Sequence, residues 1–568
     1  MKSWDTCASE VRDASSCLGW EQLSAEEGAL AARGRTPVES GATGGRGTRL
    51  LAAMRRRVTA EHLVVAVLGL LVLAVHDVGY LLSQSYWTDE AWVAISARFP
   101  LSLLPALTNS TPIGWSLLVR VLTPAGDQAA RLLPLAFAGA AVVAAYWFAR
   151  QLGWRWQAAS IGAGLLAGVG VLLDQPILTH NDLKQYTADA CIALLALAVT
   201  SRLERQWSRR GLAALSVTIW GGMLLSHTVA FVGAAAFGAV CLVALAQRAW
   251  RRLGEAVIAG AGTAVLMAGV YKRFDARAVS SKLTYSPHFR YYYLPITRGP
   301  EAAIKFVTSH FTALDVAFAL GPAWLAVPLY VAGLVTIFRL GRPATAITLT
   351  VLWPEMLAVS ALHRYPFLDR RTSTFLFAIT IVVAAIGVAG VCSLLRPWLK
   401  GALAAGLAAV PLAVFVIAAW PSMRSHTLPV EDVRDQARYV ATHGAPTDVI
   451  LVNLSSNFGF AYYWPVGHPA RRADDAVVQG YEAYFPSQPR IVVARGRDAA
   501  GVDSALSQAV SQARAQAGAC TRIWLVRTHV SVPESAAWRA ALRQHGLSER
   551  PVGDHGLSVV LAAGSPCQ

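Results

Sequence analysis

A chain of 568 residues that is 55% hydrophobic and only 15% charged, with a mean hydropathy of +0.43, is too apolar for an ordinary soluble protein. Repeated apolar runs near the ~20 residues that cross a bilayer indicate a polytopic α-helical membrane protein. The net charge of +16 does not point to nucleic acid, because the excess arginines stand in short clusters between apolar runs, as cytoplasmic loops do.

Residues 1–53 are rich in Gly, Ala, Ser, Arg and Glu and lack both a core pattern and a signal-peptide apolar region, so they read as a disordered cytoplasmic tail or a start-site artefact. Met54, followed by Arg55, Arg56 and Arg57, is the alternative start. The membrane domain then runs over 54–420, with about eleven spans predicted at 62–82, 128–149, 156–174, 187–203, 211–226, 228–247, 253–271, 315–338, 344–362, 372–395 and 401–420. With Arg55–Arg57 inside, every second crossing returns an arginine cluster to the cytoplasm, ending with Arg396 and Lys400. The segment 110–122 is apolar but about half the needed length, with Pro112 near its start and Arg120 inside, and is predicted as a re-entrant or interfacial helix.

This topology collects the polar chemistry in outer segments: "SYWTDEAW" (85–92), "DQPILTHNDLKQY" (174–186), the turn at Ser226 and His227, the loop of about 272–314, and "HRYPFLDRR" (363–371). Asp89 and Glu90 offer a carboxylate that could take a proton from an attacking hydroxyl. Lys184, Arg364, Arg370 and Arg371 offer cations for a donor phosphate. Asp182, Gln185, Tyr186, His227, His363 and Tyr365 lie in the same segments as substrate-binding candidates, and Tyr291, Tyr292 and Tyr293 are nominated from the aromatic outer loop. Carboxylate plus phosphate clamp suggests group transfer from a lipid phosphate, where the clamp stabilises charge on the departing phosphate.

Blander readings stand beside these. The acids could be the first turn of an interfacial helix capped at Thr88, the "YPF" arginines could snorkel from an ordinary turn, and Lys184 could pair with Asp182 or Asp189. The tryptophans of 85–92 read as anchors at headgroup depth. No pair among His180, His227 and His363 has metal-ligand spacing, so no metal ligand is assigned.

In the order of these motifs the chain resembles the GT-C superfamily of membrane glycosyltransferases, in the branch of protein O-mannosyltransferases, lipid A aminoarabinose transferases and their actinobacterial relatives. The resemblance rests on "WTDEAW" after span one, on "DQAARLLPLAFAGAAVVAAYWFARQLG" with its Arg-Leu-Pro helix, on "DLKQYTADACIALLAL" opening span four and on "RYPFLDRRTSTFL" opening span ten, and covers about residues 55–420. It implies a polyprenyl-phosphate sugar as donor, a glycan, lipid or protein acceptor, transfer at the outer face of the cell membrane and usually inversion at the anomeric carbon. It places Asp89 as the base with Glu90 as its partner or rival, lets Asp174, Asp182 and Asp189 compete as a second acid, and leaves a divalent metal open. A transporter or flippase of envelope precursors and an inactive scaffold of envelope assembly are the alternatives. A transporter would show ionisable groups at the membrane midplane and repeated halves, and no internal repeat is evident.

Beyond residue 420 the pattern becomes that of a small α/β domain, 421–568, predicted to lie outside the cytoplasm with a mainly parallel sheet. Its strands are expected in "TDVILVNL", "RIVVARG", "TRIWLVRT" and "LSVVLAA". The segment "NLSSNFGFAYYW" (453–464) reads either as part of the acceptor route or as a connection packed on the membrane domain. Cys520 and Cys567 are expected to form a disulfide.

Overall fold

The computed structural model describes residues 61–102, 104, 111–126, 128–174, 177, 182–275, 289–311, 323–395, 417, 431–465, 470–473, 480–483, 485, 487–515, 521–552 and 557–562. The N-terminal tail, the eleventh predicted span and both Cys520 and Cys567 fall outside these residues.

The other ten predicted spans are helices. The first is interrupted: α1 (Glu61–Val75) is followed by a short α2 (Val78–Ser83). Asp77 causes the break, because its Oδ1 accepts the Tyr80 amide at 2.9 Å and caps a new helix in place of continuing the old one. The chain then forms α3 (Thr88–Arg98) and α4 (Ile113–Leu122), followed by α5 (Leu132–Gln151), α6 (Gln157–Leu172), α7 (Tyr186–Arg205), α8 (Arg209–Met223), α9 (Val229–Ala246) and α10 (Trp250–Val270). A shorter α11 (Pro300–Phe311) precedes α12 (Ala323–Arg339), α13 (Pro343–Ala361) and α14 (Thr374–Leu395). Among the described residues, six helices are long and apolar enough to cross a membrane. The α4 segment is ten residues long and no span, and Arg120 inside it donates to the carbonyls of Ala97 and Phe99 at the end of α3.

Helix α7 is the hub, packed against α5, α8, α9 and α14, and nearly all of it is buried. That burial explains its composition: polar residues within it, such as Thr200 bonded to the Ala196 carbonyl, face protein. The α12–α14 crossing depends on small residues, since a Cβ at Gly387 would collide with the Leu329 carbonyl oxygen and one at Gly333 with that of Val383. Gly387→Ala is therefore expected to cost about 1–3 kcal/mol through overpacking. A lower Tm than wild type in detergent tests this, with Gly262→Ala, where nothing lies within 4 Å, as the control that stays unchanged.

The C-terminal region contains α15 (Val433–His443), β1 (Val449–Val452), α16 (Asn457–Tyr463), the hairpin strands β2 (Ala470–Ala473) and β3 (Gly480–Ala483), β4 (Ile491–Val493), α17 (Ala499–Ala515), β5 (Ile523–Val526), α18 (Val532–Gln544), β6 (Leu547–Val552) and β7 (Leu557–Ala562). The five-stranded sheet has the order β4-β1-β5-β7-β6, with β4, β1 and β5 parallel and β7 and β6 antiparallel. The sheet is thus mixed where the sequence suggested mainly parallel. The unpredicted β6 is one of the two edge strands: it carries Glu549, Arg550 and Pro551 and is largely exposed, so it lacks the apolar signature of the central strands.

Candidate active site

The site begins where α2 ends and α3 starts. Asp89 and Glu90 both lie in the first turn of α3, where acids suit the helix end, yet their environments are opposite. Glu90 is fully buried. Its Oε1 accepts Nε of Arg131 at 2.9 Å and the Leu183 amide at 3.1 Å, and its Oε2 pairs with Nη2 of the same arginine. Arg131, just before α5, also donates to the carbonyls of Leu81, Gln84 and Ser85. One buried ion pair thereby ties three segments that are distant in sequence: the end of α2, the start of α5, and the loop entering α7.

Asp89 faces the other way, its side chain 29% exposed. Its Oδ2 lies 2.6 Å from Nη2 of Arg371 and 3.4 Å from Nζ of Lys184. The same Arg371 nitrogen is 3.2 Å from Oδ2 of Asp182. Because Glu90 holds the Leu183 amide, it fixes the residues on either side, Asp182 and Lys184, relative to Asp89. Arg371 stands over the Trp87 ring at 4.8 Å and the Tyr186 ring at 5.7 Å, and Lys184 stands over Trp92 at 5.5 Å. The tryptophans of this loop, 8% and 6% exposed, therefore serve as platforms for cations inside the protein. They are not lipid-facing anchors.

The segment 363–371 places Arg371 through an irregular path in which His363 and Leu368 adopt left-handed backbone angles, φ 55° and 54°. Asp369 then starts α14, its Oδ2 accepting the Thr372 amide at 2.9 Å and hydroxyl at 3.0 Å. From behind, the Tyr292 carbonyl accepts the Phe367 amide and the Ser360 hydroxyl, so the aromatic loop braces this segment.

Of the cations predicted from sequence, Lys184 and Arg371 meet Asp89, whereas Arg364 and Arg370 are exposed and form no ion pair among the described residues. Asp182 joins the cluster, with Tyr186 beneath it, and Gln185 is buried just before α7. Tyr365 bonds the Thr372 carbonyl at 2.6 Å and packs on Phe231. His227 lies near Asp189, a carboxylate that Ser226 and Thr228 hydrogen-bond. Tyr291 and Tyr292 contact His310, and Tyr293 contacts His363. Sequence reasoning quoted Arg131 only within a resemblance and missed its role. The signal was an arginine heading an apolar helix, where a buried carboxylate must answer it.

The C-terminal domain closes one side. Glu431 Oε2 accepts the Thr88 amide at 2.9 Å and hydroxyl at 3.2 Å, and the Thr88 hydroxyl also reaches the Ser455 carbonyl. The Tyr86 amide donates to the Tyr463 hydroxyl at 2.8 Å, and Arg98 donates to the Tyr462 carbonyl. The segment 453–464 thus packs on the helix that carries Asp89.

The two acids that meet Arg371 titrate apart. Burial alone would raise Asp89, but the charges of Lys184 and Arg371 overcome it and hold the carboxyl at about 2. Burial pushes Asp182 up to about 6, with Arg371 opposing and Glu90 adding to the rise. The signs of the linked stabilities are opposite. What Asp89 contributes is present above its unfolded value of about 3.9 and fades as pH falls towards about 2. What Asp182 contributes is complete below about 3.9 and is lost as pH rises through about 6. Asp182→Asn is expected to remove that second slope, measured as the change of Tm between pH 4 and pH 7.

Among the described residues no group of three or more His, Cys, Asp or Glu side chains could hold a metal ion. Asp89 and Asp182 both face the Arg371 cation. No step is assigned to a metal.

No protein-family profile matches the sequence, and no curated protein aligns with it significantly. Solved structures resemble it at a distance. An oligosaccharyltransferase of Archaeoglobus fulgidus, described in complex with zinc and sulfate, aligns with TM-score 0.49 and 12% identity over 81% of this chain and 67% of that one. The A. fulgidus oligosaccharyltransferase AglB with an inhibitory peptide and a dolichol-phosphate aligns at 0.46 and 10%, covering 87% and 73%. ArnT from Cupriavidus metallidurans bound to undecaprenyl phosphate aligns at 0.45 and 14%, covering 89% and 97%. With identities of 10–14% and TM-scores below 0.5, these likenesses are remote and concern the fold alone.

Proposed function

We propose that the protein transfers a sugar from a polyprenyl-phosphate donor to an acceptor hydroxyl at the outer face of the cytoplasmic membrane, with Asp89 as the base. The observation that carries this reading is the meeting of Asp89 with Lys184 and Arg371 at a partly open position. Both carboxylate contacts of Arg371 use Nη2, which leaves Nη1 to donate to a phosphate oxygen. Lys184, at 3.4 Å from Asp89, is loosely held and suits a second phosphate oxygen.

The acceptor oxygen attacks the anomeric carbon while its proton passes to Asp89. The bond from that carbon to the phosphate oxygen breaks, its electron pair leaves with the phosphate, and Arg371 and Lys184 stabilise that charge. One displacement of this kind inverts the anomeric centre. Binding of the donor phosphate draws the cations away from Asp89, which makes the carboxylate more basic when the substrate is in place. Glu90 keeps the site in register through Arg131 and Leu183 and takes no proton.

The protein reconstituted in lipid nanodiscs, incubated with a panel of polyprenyl-phosphate pentoses and hexoses and membrane-derived acceptors, is expected to release polyprenyl phosphate and glycosylate an acceptor, read by mass spectrometry. In proteoliposomes, movement of intact donor across the bilayer with no bond cleaved would replace this reading with transport.

A further inference from the structure

In open α/β sheets, ligands sit beyond the carboxyl ends of the strands where the strand order reverses. Here the chain leaves β1 for β4 on one side and returns to β5 on the other, so that place lies beyond β1 and β5. Polar side chains there bond to each other: Asn453 donates to the Thr528 carbonyl at 3.0 Å, and the Ser456 and Thr528 hydroxyls are 2.9 Å apart. The loop beyond β5 then projects His529 towards the Asp89 loop.

Four observations single out this histidine. Its backbone is left-handed, φ 52°, a conformation non-glycine residues adopt at a cost. Its Nδ1 lies 2.9 Å from Oε1 of the buried Glu431, whose other oxygen holds Thr88, the residue before Asp89. Its ring centroid is 6.4 Å from that of Trp87, the ring over which Arg371 stands. Its side chain is 48% exposed, and Nε2 has no partner among the described residues. An ionised carboxylate only accepts, so Nδ1 carries the proton and the Nε2 of a neutral imidazole is an acceptor.

We propose that His529 is a specificity-determining residue which the C-terminal domain adds to the Asp89 site, its Nε2 accepting a hydrogen bond from a second hydroxyl of a polyhydroxylated acceptor while Asp89 takes the proton of the reacting one. The acceptor is then a glycan or polyol headgroup and not a simple alcohol. This rests on the glycosyltransferase reading. The charges acting on His529 are Glu431 and Asp89, which favour its protonated form, and Arg497, which opposes it. The Glu431 hydrogen bond, acting against burial, raises its pKa above the ordinary histidine value.

The test uses the full-length protein in nanodiscs with n-octyl β-glucoside and octanol as acceptor probes. His529→Leu is expected to raise the KM for octyl glucoside about tenfold, leaving kcat and the KM for octanol within about twofold, because a lost hydrogen bond is worth about a factor of ten. In wild type the octyl glucoside KM should rise at acidic pH as His529 protonates, and Glu431→Gln should move that rise to lower pH. Equal KM changes for both probes, or none, overturn the proposal. A second measurement needs no turnover: carbethoxylation of His529 by diethylpyrocarbonate, followed by mass spectrometry, should be slowed by octyl glucoside and not by octanol. Protection without transfer from any donor would keep this binding site and reject the glycosyltransferase reading. Transfer without protection would do the reverse.

Discussion

Asp89→Asn is expected to lower the rate of sugar transfer by about 10²–10⁴, the usual contribution of a positioned general base, while donor binding survives. The side chains are nearly isosteric, so Arg371 keeps an oxygen to bond and α3 keeps its start. What disappears is the proton acceptor and one negative charge. Losing that charge leaves Arg371 and Lys184 with fewer anionic neighbours, so donor affinity should hold or tighten. A split between lost kcat and retained donor Kd, measured with the best donor in nanodiscs, is the signature. Full transfer by the variant would remove Asp89 from the mechanism. Arg371→Lys is the informative companion: it keeps the charge but loses the fork, and should weaken donor binding.

Glu90→Gln should have the largest effect on stability. Removing one partner of a buried ion pair leaves the other charge uncompensated and costs about 3–5 kcal/mol. Arg131 is 1% exposed and its carbonyl partners cannot neutralise it. The loss should appear as a large drop in Tm, because the amide nitrogen of Gln would stand against the Arg131 guanidinium where a carboxylate oxygen stood, while the remaining oxygen still accepts the Leu183 amide. Replacing both partners, as in the double variant Glu90→Leu with Arg131→Met, should recover much of the stability and none of the activity. A double variant as unstable as the single one would show that the pair's hydrogen bonds to backbone, and not its charge balance, hold the segments together.

These two acids also mark how far the sequence could be read. Helices announce themselves through runs of apolar residues, and ten of the eleven predicted spans correspond to helices. The first span was over-extended because one Asp at position 77 was enough to end a helix by capping the next. At the site, the segments that matter were visible as polar islands between spans, and Asp89, Asp182, Lys184 and Arg371 do come together. The division of labour between Asp89 and Glu90 was not legible. Adjacent residues on a helix point about 100° apart, and which direction is buried depends on Arg131, some forty residues away in sequence. The same holds for Arg364 and Arg370, which share a segment with Arg371 and none of its contacts. Glu431 and His529 belong to a domain whose docking no local pattern encodes.

That docking has a consequence for how the protein can be altered. The helix α16 with Ser455 before it, the carboxylate of Glu431 and the ring of His529 are what the C-terminal domain applies to the start of α3, through contacts to Tyr86, Trp87, Thr88, Trp92 and Arg98. The domain is therefore not an appendage that can be exchanged like a tag. Swapping it between homologous chains should work only when the Tyr86–Arg98 face is exchanged with it, so that the Asp89 loop and the domain that clasps it are inherited as one unit.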